Sequence, residues 1–174
     1  MLLENPANPV ILVGRYESVL GKGLSMRAVI QRVTQAQVEV EGKLSGQIYQ
    51  GLLVFLSVGK GDTEQDLSYI VDKLVNLRCF ADENDKMNLS VQDVNGAILL
   101  ISQFTLHGDC RKGRRPGFDQ AGEPKQAEKY YEQAAEMIRR QGVPCETGVF
   151  AAHMHVSSIN DGPVTFLLDS TKLF

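Results

Sequence analysis

Two spacings of apolar residues organise the chain from Met26 onward, one of strands and one of helices. Ala28 to Val33 and Gln37 to Val40 read as strands, with Val38 and Val40 alternating with polar neighbours. Glu41-Gly42-Lys43 suits a tight hairpin turn. Leu52 to Val58 is a continuous apolar run, the pattern of a buried strand, and Gly59 and Gly61 end it. Asp62 and Thr63 then offer N-caps, and Leu67, Ile70, Val71, Leu74 and Leu77 recur at helical spacing. Ala81 to Asn88 is charged and loop-like, Asn95-Gly96 marks a turn, and Ala97 to Leu106 is a second buried strand. A Gly/Arg-rich loop from His107 to Glu123 leads into a second helix, with Pro124 in its first turn and Gly142 at its C-terminal end. Strand-like pieces around Glu146 to Phe150, His155 to Ile159 and Val164 to Leu168 close the chain. Many strands joined mostly by turns, plus two helices, predict an α+β fold. Its expected form is a mainly antiparallel sheet or partial barrel flanked by the two helices.

Residues 1–25 share neither period and contain Pro6, Pro9, Gly14, Gly21 and Gly23. They are expected to be an N-terminal extension upstream of a natural start at Met26, with a flexible arm as the rival reading. Residues 26–174 are then one domain. The 43% hydrophobic content is enough for a core, and 22% charged residues is ordinary for a globular chain. A net charge of −3 argues against a nucleic-acid coat over the whole surface but leaves room for a local basic patch. Cys79, Cys110 and Cys145 are odd in number and far apart, so neither a disulfide framework nor a CxxC motif is predicted, and a reducing compartment fits. No apolar run approaches the length of a membrane span.

Familiar reactive motifs are missing: there is no GxSxG, HExxH, P-loop or GxGxxG. Gly59-Lys60-Gly61 reads as a plain strand-to-helix connector. His153 and His155, two apart, would share one face of a strand as metal ligands do, yet no Cys, Asp or Glu joins them at ligand spacing. No metal and no cofactor are therefore expected. His107 has the chemistry of a general base, but without a visible orienting partner it reads as a surface residue.

Three stretches can carry chemistry. Ser102-Gln103-Phe104-Thr105-Leu106 interrupts an apolar strand with hydroxyls and an amide. It is either simple alternation between two faces or a polar strand end, with backbone N–H donors, turned to a pocket. Arg111, Lys112, Arg114 and Arg115 form a local positive field in a Gly/Pro loop. The field suits phosphate oxygens, or it is a solvated charged loop. Asn160-Asp161-Gly162-Pro163-Val164-Thr165 is either an ordinary hairpin turn or a purposeful turn around a cis prolyl bond.

Together these stretches resemble the D-aminoacyl-tRNA deacylase family. The resemblance runs from Met26-Arg27-Ala28-Val29-Ile30-Gln31-Arg32-Val33 to the C-terminus, and its marks are SQFTL at Ser102–Leu106 and NxGPxT at Asn160–Thr165, in that order, with RKGRRP between. Ala151 departs from it, standing where the family has glycine. The resemblance implies a cytoplasmic homodimer that cleaves the ester of D-aminoacyl-tRNA and of mischarged glycyl-tRNA. Gly162-Pro163 would be held cis and inserted into the partner's pocket, where its carbonyl oxygens exclude the side chain of an L-amino acid. By the same resemblance Ser102, Gln103, Phe104 and Thr105 line the pocket for the aminoacyl group and terminal adenosine. Phe150 lies near the adenine, Met154 is a pocket wall and Arg32 fixes the Gly-Pro loop. The basic loop is expected near the acceptor stem of the tRNA.

An ester needs a positioned water and a stabilised oxyanion more than a covalent nucleophile. Thr105 as nucleophile would need a base, and the sequence offers none. Hydrolysis assisted by the free 2′-hydroxyl of the terminal ribose is expected instead. The rival readings are a tRNA-binding module without chemistry and a metal hydrolase built on His153 and His155.

Overall fold

The computed structural model describes residues 25–173. The expected extension, except for Ser25, lies outside the described residues. Strand β1 (Arg27–Val40) is one strand of 14 residues where two pieces were expected. Thr34 and Gln35 are both exposed, so the apolar period breaks while the pairing continues. Glu41 and Gly42 turn the chain with φ of 51° and 74°, the conformation of a type I′ hairpin. Strands β2 (Lys43–Ile48) and β3 (Gly51–Ser57) then run back along β1 antiparallel, one after the other. β2 carries too little apolar alternation to be read from sequence, since only Gly46 and Ile48 are buried in it.

Helix α1 (Glu64–Asn76) starts at Thr63, whose N–H donates to the Asp66 carboxylate at 2.8 Å in a capping box. Two short strands, β4 (Phe80–Ala81) and β5 (Met87–Leu89), pair where a loop was expected. β6 (Ala97–Ser102) lies parallel to β3, and β7 (Cys145–Thr147) lies parallel to β6. These parallel pairs follow from the crossovers, because α1 and α2 (Pro124–Arg140) each carry the chain back to the same end of the sheet. The sheet is thus antiparallel around β1 and parallel beyond β3. Its path, β2-β1-β3-β6-β7, curls until its ends meet. A Cβ on Gly46 of β2 would stand 2.9 Å from the Thr147 carbonyl of β7.

Curling gives the sheet two dry faces. Inside it lie Val33, Val38, Ile48, Leu53, Leu99 and Ile101. Outside, both helices cover Leu52, Val54, Leu56, Ile98 and Leu100 with Ile70, Leu74, Ala134 and Ile138. This double burial is why the runs at 52–58 and 97–102 read as continuous rather than alternating. Gly51 permits the tightest approach, since a Cβ there would lie 1.9 Å from the Ala97 carbonyl oxygen. The result is the expected α+β partial barrel flanked by two helices. Among the described residues no helix is long and apolar enough to cross a membrane.

Strand β8 (Met154–Asp169) takes in two of the expected pieces and everything between them. It pairs with β1 along nearly its whole length, so the Asn160–Thr165 stretch is not a hairpin turn. Val33 faces Asn160 and Gln31 faces Thr165, which leaves residues 161–164 opposite Arg32 alone. The strand holds its register by pushing that segment out as a bulge.

Candidate active site

A cavity of about 600 Å³ opens at the carboxyl ends of the parallel strands β3 and β6. Its floor and walls include Leu56, Ile101, Tyr131, Phe150 and Met154. The Tyr131 hydroxyl donates to the Leu100 carbonyl at 2.8 Å, and burial raises its pKa far above the usual phenol range, so it stays a neutral donor. Its ring lies 6.0 Å from that of Phe150, tilted by 45°.

Ser102 ends β6, and Gln103 then turns the chain with φ −145° and ψ 74°. Phe104–His107 follow as a short 3-10 helix. The strand expected to reach Leu106 therefore stops at Ser102, and alternation between two faces does not describe this stretch. Ser102, Gln103 and Phe104 border the cavity; Thr105 does not. The Thr105 hydroxyl oxygen instead accepts a hydrogen bond from the Gln103 side-chain amide. The Gln103 N–H is tied to the Leu56 carbonyl at 2.8 Å. Among the described residues, neither Phe104 N–H nor Thr105 N–H donates to a carbonyl outside its own turn.

Phe118, not foreseen from sequence, supplies another wall. Its ring meets Phe104 edge-on at 5.0 Å. The available signal was a lone aromatic residue following seven positions of charged, Gly and Pro residues. The loop before it is closed at its base by paired backbone hydrogen bonds between Asp109 and Gly117, at 2.7 and 2.9 Å. Arg111, Lys112, Arg114 and Arg115 all stand exposed on that loop. Arg111 grips Asp109 through two hydrogen bonds of 2.8 and 2.7 Å and holds that carboxyl well below the usual range.

The Gly162-Pro163 bond is cis. Gly162 has φ 120°, and a Cβ there would lie 2.7 Å from Val164 Cγ2, so only glycine fits. Arg32 sits beneath the bulge. Its Nε lies 2.9 Å from Asp161 Oδ2, an ion pair without the alignment of a hydrogen bond, and its Nη1 donates to the Cys79 carbonyl at 2.7 Å. The Asn160 amide donates to the carbonyls of Arg32 and Val164, at 2.9 and 3.0 Å. None of Arg32, Gly162 and Pro163 borders the cavity.

The D-Tyr-tRNA(Tyr) deacylase family matches residues 29–169 of this chain. The chain belongs to that family. It is similar to the D-aminoacyl-tRNA deacylase of Thermotoga petrophila, with 57% identity over 149 residues, 86% of this chain and 100% of the relative. A D-aminoacyl-tRNA deacylase of Koribacter versatilis is 58% identical over the same shares. Among solved structures, the chain is similar to a c-Myc DNA unwinding element binding protein at TM-score 0.77 and 41% identity, covering 82% of this chain and 97% of that one. It is also similar in fold to a probable eukaryotic D-amino acid tRNA deacylase, at TM-score 0.73 and 19% identity, covering 84% and 100%.

The family's two sequence marks thus lie in different places, one at the cavity and one on the bulge. Ala151, where the resemblance led glycine to be expected, borders the cavity and adopts φ 59°, a conformation that favours glycine. His107 differs from its expectation as a surface residue. It is 2% exposed, with Nδ1 2.6 Å from the Ser57 hydroxyl and Nε2 2.8 Å from the Ser25 carbonyl. His153 and His155 are exposed with rings edge-on at 5.1 Å, and no group of three His, Cys, Asp or Glu suits a metal ion among the described residues.

Proposed function

We propose that this chain hydrolyses the ester that joins a D-amino acid to tRNA, releasing free tRNA and the amino acid. The observation that carries this is kinship over the whole length of relatives named D-aminoacyl-tRNA deacylase, together with a cavity bordered by the first family mark. The cavity suits such a substrate, because it is apolar with aromatic walls for a base and a few polar groups from Ser102 and Gln103 at one end.

In this reading the terminal adenosine enters among Phe104, Phe150 and Met154, and the aminoacyl carbonyl lies near the Phe104–Thr105 turn. The backbone N–H groups of that turn stabilise the oxyanion. Thr105 is not the nucleophile. Its hydroxyl is engaged by Gln103, and the nearby His107 has both nitrogens turned to Ser57 and Ser25. The 2′-hydroxyl of the ribose orients the attacking water instead. Arg114 and Arg115, with Lys112 and Arg111, meet phosphates of the acceptor stem.

Selection against L-amino acids belongs to the bulge. The Gly162 and Pro163 backbone of one protomer enters the cavity of a second copy and leaves no room for an L side chain, while glycine and D-amino acids enter. The long strand β8, with exposed Ile159 and Leu167 and an outer edge unpaired among the described residues, supports assembly as a homodimer. The cytoplasm, where tRNA is charged, is the fitting location.

The deciding experiment is a deacylation assay with D-, L- and glycyl-tRNA in the presence of a chelator, repeated with a 2′-deoxy terminal adenosine. D and glycyl esters should be cleaved, the L ester spared, and the 2′-deoxy substrate slowed, with Thr105→Ala retaining turnover. Salt-sensitive RNA binding without cleavage would favour a non-catalytic module. Loss of turnover in Thr105→Ala with an intact rate on the 2′-deoxy substrate would make Thr105 the nucleophile.

A further inference from the structure

The 3-10 helix that carries Phe104 and Thr105 ends in His107, whose ring is buried and does not border the cavity. Both ring nitrogens are committed. The Ser25 carbonyl only accepts, so Nε2 carries the proton, and Nδ1 then accepts from the Ser57 hydroxyl on β3. Arg27 fastens the same turn from β1, with its Nη1 donating to the Leu106 carbonyl at 3.1 Å and its Nε 3.3 Å from Asp169 of β8. Four residues of 3-10 helix have little stability of their own, so such ties decide where the turn sits.

We propose that His107 is a positioning residue for the deacylation, acting through Ser57 and Ser25 to set the Phe104–Thr105 turn against the end of β3. This rests on the function proposed above. The ring works as a neutral clip. Burial holds its pKa below the ordinary histidine value and Arg27 adds to this, while the Ser25 carbonyl and Asp169 pull the other way. Because the folded-state pKa is depressed, the unfolded chain takes up the proton first. The stability contributed by the neutral clip is whole above roughly pH 6.5 and is lost as pH falls below that value.

The test compares wild type, Ser57→Ala, His107→Ala and His107→Gln between pH 5 and 8. It measures kcat and KM on D-aminoacyl-tRNA, and backbone amide exchange at Leu106 and Gly108. Ser57→Ala should lower kcat about tenfold at neutral pH with KM nearly unchanged, because Ser57 borders the cavity but is only 1% exposed, so the reacting groups are displaced with little loss of binding surface. Amide exchange in the turn should quicken in that variant. His107→Gln keeps a donor and an acceptor but cannot titrate, so it should retain more activity than His107→Ala and lack the acid limb expected of wild type. A wild-type kcat in Ser57→Ala, or an acid limb that persists in His107→Gln, overturns the proposal. A wild type that cleaves no ester sinks the proposed function instead, and unchanged amide exchange in Ser57→Ala then sinks the clip.

Discussion

The cavity and the Gly162-Pro163 bulge carry the two sequence marks of one family, yet the chain builds them in contrasting ways. The cavity is a consequence of the core, since β3 and β6 end there and Tyr131 and Phe150 reach it from α2 and from the segment after β7. The bulge is an interruption of the longest strand, held out in solvent by Arg32 beneath it. Among the described residues, neither Gly162 nor Pro163 borders the cavity. In the function proposed above, the recess and the element that selects its occupant meet as a pair across two copies. On that proposal, discrimination depends on a contact that can be broken without touching the reacting turn.

Gly162→Ala offers the largest break in that comparison. The added Cβ would meet Val164 Cγ2 at 2.7 Å and Val164 N at 3.0 Å, so the bulge must change shape. Cleavage of L-aminoacyl-tRNA should rise by about tenfold or more, equivalent to roughly 1.4 kcal/mol of weakened exclusion, while D-ester cleavage changes less. Matched D and L substrates in one assay measure this. Unchanged rejection of the L ester would remove the bulge from the selection.

What was legible in the sequence divides along the same line. The core runs at 52–58 and 97–102, the capped helix from Thr63 and the Pro124 start of α2 were readable because burial and caps leave local marks. The second mark was readable only as a turn. Asn, Asp, Gly and Pro signal a reversal locally, and only pairing with β1 on both sides, through Gln31 and Val33, converts it into a bulge. Phe118 and the Ser57–His107 contact were hidden for a different reason. They join residues 50 positions apart in sequence or lie within a loop whose charge dominates its reading. Arg32 was legible through family resemblance alone, since a single arginine in a strand has no periodic signal.

The basic loop allows a sharper test of how the cavity is reached. Arg111 is already gripped by Asp109, while Arg114 and Arg115 are exposed and make no ion pair within 4.0 Å among the described residues. Replacing both by alanine should weaken tRNA binding with little effect on the D-to-L ratio, because phosphate contacts position without selecting the amino acid. The slope of log affinity against log salt should flatten by about 1.8, at roughly 0.9 for each duplex phosphate that is no longer neutralised. An unchanged slope in a salt titration would mean that these side chains are only solvated.

The smallest effect returns to the backbone, where the two regions solve the same problem differently. The bulge places glycine at its left-handed position, Gly162, whereas the cavity rim places alanine at φ 59°. A left-handed alanine costs about 1–2 kcal/mol. Glycine removes that cost but gives back about 0.5–1 kcal/mol through the greater freedom of the unfolded chain. Ala151→Gly should therefore stabilise the protein by a net ~0.5–1 kcal/mol, read as a higher urea midpoint with an unchanged m-value. Ala151 is exposed at the rim and its methyl adds little to the walls, so D-ester turnover should stay within about twofold of wild type. A lower midpoint would show that the rim holds its left-handed residue through contacts of the methyl group, and that the cavity, unlike the bulge, relies on a side chain to keep its backbone turned.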